Sequence, residues 1–270
     1  MMCRLYEVTR GGYYAWRSRK PSARSEENWQ LLKQIERIHA GSGETYGSPR
    51  VQRALCMQRL PVSRNRVARL MRKHQIRARA ARIYRCNPGV HRFFDTIPKQ
   101  RLKALSVNPN AVWAADITYL KLGASWRYLA TVMDRCTRRV IGWSLGPKKN
   151  VRLTLQALDR AVHRCHPRPG LIFHSDRGTE YAGYVFRDRL AALGIVQSMN
   201  ERMNDNAHME SFYHSLKSDV IHGVNFANEE QLSRVVREYI RFYNERRLHS
   251  SIGYVAPAVY EQNLSRRGVN

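Results

Sequence analysis

Between Ala111 and Leu120 every residue is apolar except Asp116 and Thr118. A run of this length and character reads as a strand buried on both faces. Aspartate is disfavoured inside strands, so Asp116 either marks a strand end or has a task. The segments that follow constrain the fold. After turn signals at Gly123-Ala-Ser125, the stretches Arg127–Met133 and Arg138–Leu145 read as two more strands, joined as hairpins into an antiparallel meander. Asn150 can cap a helix carrying Leu153, Leu155, Leu158 and Val162. Leu171-Ile-Phe-His-Ser is a fourth strand that runs straight into Asp176, and a helix from about Tyr184 to Leu193 stops at Gly194. Ile195-Val-Gln197 is a fifth, short strand. A polar loop, Met199 to Asn206, precedes a helix with Met209, Phe212, Tyr213, Leu216 and Val220 at helical spacing. A further helix spans Glu229 to Arg247, and the tail from His249 on reads as irregular. Strands and helices in this order predict an α/β protein with a mixed five-stranded sheet flanked by helices.

The front of the chain differs in composition. Residues 1–108 carry 24 basic and 6 acidic side chains, within a 270-residue chain of net charge +26. An excess of this size points first to a polyanionic partner, because neutralised phosphates release counterions; a merely basic surface is the plainer account. Ser25 can cap a helix through about Ala40. Ser48, with Pro49 behind it, can cap a second helix, and Ser63 a third that turns Val67, Leu70 and Met71 inward. The third helix sends Arg64, Asn65, Arg66, Arg69, Arg72 and Lys73 outward. Two short capped helices joined tightly, the second one basic, form a helix-turn-helix pattern whose second helix enters the major groove. Residues 1–76 are therefore expected to be a small all-α DNA-binding region and 77–108 a basic linker. Five scattered cysteines, never spaced C-x-x-C, argue against a disulfide framework or zinc ribbon. No stretch approaches the ~20 apolar residues of a membrane span, so a cytoplasmic, nucleoid-associated protein is expected.

Singly, the acids are weak evidence. Asp176 closes its strand just before Gly178, where α/β sheets build ligand sites. Glu210 lies one turn into its helix, where a capping-box glutamate would also stand. Together they suit two-metal phosphoryl transfer, in which hard oxygen ligands hold two Mg²⁺ ions ~3.5–4 Å apart.

Three segments carry a resemblance: Trp113-Ala-Ala-Asp116-Ile-Thr-Tyr119, His174-Ser-Asp176-Arg-Gly178 and Asp205-Asn-Ala-His-Met-Glu210-Ser-Phe212. They resemble the acidic motifs of DDE transposases and retroviral-type integrases, and most of all the second-frame protein of bacterial insertion sequences. The likeness extends to Tyr46-Gly-Ser-Pro-Arg50, Val62–Val67 and Tyr243–Pro257, nearly the whole chain. It implies an RNase H-like catalytic core at 109–222, with 223–270 as a helix and tail packed on it. It also implies that Asp116, Asp176 and Glu210 bind two Mg²⁺ ions, for which Mn²⁺ can substitute. Lys217, seven residues after Glu210 and so on the same helix face, matches a lysine expected to touch the DNA end. Asn206 matches an asparagine at the helix start, which a cap role explains equally well. Arg50, Arg64, Asn65, Arg66 and Arg69 are the remaining expected DNA contacts.

The resemblance further implies binding to terminal repeats and target DNA, strand transfer through a circular intermediate, and a homo-oligomer on DNA. The abrupt N-terminus suggests a frameshift fusion with an upstream-frame protein. A non-catalytic regulator that needs that product is the alternative. Three departures stand out. Only 33 residues separate Asp176 from Glu210, a shortening that falls in the loop 199–203. Glu180 replaces a usual glutamine, either perturbing metal binding or lying at the surface. The retroviral zinc module is absent.

Overall fold

A computed structural model of the chain describes residues 8–79, 108–176, 178–199 and 206–267. Most of the expected linker, the shortened loop 200–203 and Asp205 lie outside the described residues. The chain divides into two compact units, residues 1–78 and 79–270. Among the described residues no helix is long and apolar enough to cross a membrane.

The first unit holds α1 (Arg10–Arg17), α2 (Ala23–Gly41), α3 (Ser48–Met57) and α4 (Arg64–Lys73). Thr9 caps α1 through a hydrogen bond from the Gly12 amide. Ser22, not Ser25, caps α2: its backbone is extended and its Oγ accepts from the Ser25 amide at 3.3 Å. The cap of α3 shifts by one residue as well. Extended Gly47 precedes the helix, so Ser48 is its first residue and Pro49 sits in the first turn, where a missing N–H is harmless. Ser63 caps α4 as expected, accepting from the Arg66 amide at 3.2 Å. Leu32, Ile35, Val51, Leu55, Val67, Leu70 and Met71 form the buried centre of this unit. His39 Nδ1 lies 3.0 Å from the Tyr46 carbonyl and ties α2 to the lead into α3.

In the second unit β1 (Val112–Leu122), β2 (Ser125–Asp134) and β3 (Val140–Gly146) form the meander. It is followed by α5 (Val151–Cys165), β4 (Ile172–Ser175), α6 (Thr179–Ala182), α7 (Tyr184–Ala192), β5 (Val196–Met199) and α8 (Ala207–Leu216). A π-helical turn (Lys217–Ile221), α9 (Glu229–Glu245) and α10 (Pro257–Arg267) complete it. The sheet order is β3-β2-β1-β4-β5, with β1–β3 antiparallel and β4 and β5 parallel to β1. This is a mixed RNase H-like sheet. One expectation for this unit is corrected: the tail is not irregular, because a short 3-10 turn and α10 follow α9. A single turn, α6, also precedes α7.

Side-chain alternation along β1 and β2 builds two cores. On one face Leu120, Leu129, Met133 and Val140 pack on Met209, Phe212 and Leu216 of α8 and Val236, Tyr239 and Tyr243 of α9. On the other Trp113, Ala115, Ala130 and Val132 meet Leu153, Leu158 and Ala161 of α5, with Phe173, Tyr181 and Phe186. Gly142 lets α5 approach closely, since a Cβ there would strike the Ala157 carbonyl. Buried Arg247 donates to Asp219 Oδ2 at 3.2 and 2.9 Å, and Tyr239 donates to the same oxygen at 2.9 Å. That cluster pins the π-helical turn to α9 and the chain beyond it.

Candidate active site

Among the described residues β4 pairs with β1 only along Val112, Trp113 and Ala114. Past that point β1 continues without a parallel neighbour, which frees its carbonyls beside Asp116. Helix α8 takes them. Asn206 Nδ2 donates to the Ala115 carbonyl at 2.9 Å, and Tyr213 Oη donates to the Asp116 carbonyl at 2.5 Å. Tyr213 Oη also lies 2.6 Å from Thr131 Oγ1 on β2. Asp116 is thus held from the backbone outward by a helix remote in sequence.

Its carboxylate is poorly solvated. Burial first, and then the negative charges of Asp176 and Glu210, push the Asp116 pKa up to about 6, against a hydrogen bond from the Ile117 amide and the charge of Lys149. Asp176 leaves the end of β4 and turns back on itself, Oδ1 accepting from the Gly178 amide at 3.1 Å. Glu210 stands exposed in the first turn of α8. The Asp116 carboxylate feels the charge of both other acids. Among the described residues, however, no group of three His, Cys, Asp or Glu side chains closes on a single point as a metal ligand set. The chemistry of the donors, hard carboxylates of which Asp116 is poorly solvated, fits a divalent cation, whose charge would offset their repulsion.

Glu180 is buried rather than at the surface. Its Oε2 is 3.4 Å from Lys149 Nζ. A Cβ on Gly178 would meet that oxygen at 2.8 Å and Asp176 Oδ1 at 3.0 Å, so both carboxylates crowd over this glycine. Lys149, overlooked in the sequence, balances the extra acid; its only signal was its place one residue before the Asn150 cap of α5.

Lys217 is not a simple continuation of the Glu210 face. Helix α8 ends at Leu216, and Lys217 opens the π-helical turn, a feature frequent at functional sites. Its ammonium lies 4.4 Å from the Tyr119 ring centroid. Burial lowers its pKa while the charge of Asp116 opposes that shift. Asn206 is buried and its side chain makes no cap hydrogen bond; it is spent on β1, which leaves it poorly placed to touch DNA. In the first unit Arg64, Asn65 and Arg69 are exposed along α4. Arg66 is committed to α2, donating to Asn28 at 2.9 Å and Glu27 at 3.0 Å. Arg50 is half-buried, its guanidinium 5.9 Å from the Tyr46 ring centroid.

An acid-bearing α/β core and a separate basic helical unit define a class, and comparison with known proteins names it. Residues 106–204 and 210–264 match models described as integrase core domain, and residues 26–84 match an HTH-like domain. The chain belongs to the transposase family of IS3-type insertion sequences. It is 34% identical over 273 residues to the Escherichia coli K12 transposase InsF for insertion sequence IS3A, covering 98% of this chain and 94% of that one. It is 35% identical over 265 residues to the uncharacterized 31 kDa protein of insertion element IS600 from Shigella sonnei, covering 97% of each. Among solved structures, the HTLV-2 integrase catalytic core domain in complex with magnesium is similar at TM-score 0.46 and 15% identity, over 58% of this chain and 99% of that one.

Proposed function

We propose that this transposase binds the ends of its own insertion sequence and catalyses metal-dependent DNA cleavage and strand transfer through Asp116, Asp176 and Glu210. The observation that carries this reading is the Asp116 carboxylate, pushed up to about 6 by burial and by the two other acids. Such an arrangement is costly unless a cation is part of its working state. Asp116, Asp176 and Glu210 would hold two Mg²⁺ ions, which when bound supply activation of the attacking oxygen and stabilisation of the leaving one.

The chain's own groups do the rest. Asn206 and Tyr213 lock β1 to α8, so that Asp116 and Glu210 keep their relative position as DNA arrives. The Gly178 amide fixes the Asp176 rotamer, and the Lys149 ammonium offsets the charge of Glu180 beside the acid set. Lys217, beside Asp116, offers a cation to a phosphate next to the cleaved bond. None of these groups acts as the nucleophile; water first and a freed 3′-hydroxyl second serve that role. We assign end recognition to residues 1–76, through Arg64, Asn65 and Arg69. The chemistry belongs to 109–222, with 223–270 as its support. The working form is a homo-oligomer on DNA.

Incubating a labelled terminal duplex, its sequence read from the flanks of the gene, with the chain and Mg²⁺ or Mn²⁺ tests this directly. Cleaved and joined products are expected, absent without metal and absent with Glu210→Gln. Products that persist in the variant would overturn the assignment. DNA bound without products would favour a regulator that depends on the upstream product.

A further inference from the structure

Tyr119 and Trp126 are large aromatic side chains left 58% and 47% exposed on the β1–β2 hairpin. Their rings meet edge to face, with centroids 5.2 Å apart and planes at 87°. The strand register sets Lys121 directly across from Trp126, and Lys121 is exposed. Lys217 places its ammonium over the Tyr119 ring and is near enough to Asp116 to sense its charge. Tyr119 stands three residues beyond Asp116 on the same strand, about 10 Å along it and on the alternate face, and Lys217 links that ring back to Asp116. That is about three nucleotides at the 3.4 Å rise of one duplex strand.

Exposed aromatic rings interleaved with cations suit a single strand, whose bases stack on the rings while its phosphates meet the lysines. A closed duplex does not offer a free base face at its flank. We propose that Tyr119 and Trp126, with Lys121 and Lys217 beside them, form a stacking platform for an unpaired base within the last three nucleotides of the DNA end. The platform rests on the active-site reading above and adds to it a fraying step: the tip must open before it seats at the acids. Lys217, held against Tyr119, links base capture to the position of the neighbouring phosphate.

The test uses the full chain without metal, so that binding is read apart from cleavage. Two terminal duplexes are compared, one fully paired and one with its last three pairs mismatched, each with 2-aminopurine at the tip. The wild type is expected to bind the frayed duplex more tightly and to quench the 2-aminopurine. Tyr119→Leu/Trp126→Leu is expected to lose that advantage, by about five- to one-hundred-fold for one stacked base, and to lose the quench. Tyr119→Phe/Trp126→Phe keeps both, which separates stacking from a folding defect. Equal preference and quenching in the leucine variant would overturn the platform. So would an altered oligomeric state of the DNA-free leucine variant with its fraying preference intact, which would assign the aromatics to a contact between copies. Asp116→Asn serves as the separating control. If it still cleaves with metal, the active-site reading fails while the fraying result stands by itself.

Discussion

At two places where the sheet runs short of strand neighbours, the chain responds differently. At the outer edge of β3, Asn244 from α9 mimics a strand: its amide donates to the Val140 carbonyl at 2.8 Å and accepts from the Val140 amide at 2.9 Å. Arg160 from α5 covers the next carbonyl, that of Trp143, at 2.6 Å. Beyond the end of β4, Asn206 and Tyr213 from α8 take the carbonyls of Ala115 and Asp116 in the same manner. Both margins satisfy backbone with side chains from helices. Only at the second does the capped segment also carry a carboxylate facing other carboxylates. An edge sealed in this way is protected from pairing with another chain; a gap sealed only at its backbone leaves its side chains free for chemistry.

The largest effect should come from the acids. Asp116→Asn or Asp176→Asn should lower cleavage by about 10³-fold or more, the loss of several kcal/mol of charge stabilisation, while gel-shift affinity for the end stays near wild type. The two margins should then part company. Asn244→Ala leaves two buried backbone groups unpaired and should cost about 2–5 kcal/mol in urea unfolding, with turnover per folded molecule unchanged. Tyr213→Phe should cost less, about 1–3 kcal/mol, yet slow turnover as well, because its hydroxyl anchors the residue that carries Asp116. Equal turnover in both variants would erase the distinction between the margins.

A smaller effect concerns pH. The folded protein holds a proton on Asp116 up to about 6, whereas an unfolded aspartate loses it near ~3.9. Between those values the native state binds more protons, so this residue's contribution to stability falls as pH rises and is lowest above about 6. Metal-free Asp116→Asn should therefore melt higher than wild type at pH 7.5 and differ little at pH 4. Divalent cations should raise the melting temperature of the wild type alone. The mildest change is Arg64→Ala/Arg69→Ala, expected to reduce the slope of log affinity against log salt by about 0.9 for each phosphate contact removed.

Much of this was legible from residue order. The apolar run around Asp116, the strand that ends at Asp176 and the basic capped helix α4 are local patterns, and local periodicity finds them. The rest depends on partners far away in sequence. Asn206 bonds a carbonyl 91 residues back and Tyr213 one 97 residues back. A helix start favours asparagine as a cap, so nothing local separated a cap from a strap. Arg66 looked like its exposed neighbours on α4 until α2 supplied Asn28 and Glu27, 38 and 39 residues earlier. Glu180 invited a surface reading because its counter-charge, Lys149, lies across α5. The π-helical turn at Lys217 has no periodic signature; the buried Asp219–Arg247 pair, 28 residues apart, accompanies it.

The most direct measurement is manganese binding to the complex of the full chain with its DNA end, read from loss of the free Mn²⁺ electron paramagnetic resonance signal. The wild-type complex should take up ions that Asp116→Asn and Asp176→Asn complexes do not, with the same DNA bound in each. Equal uptake by wild type and both variants would contradict the assignment of these carboxylates as the metal site.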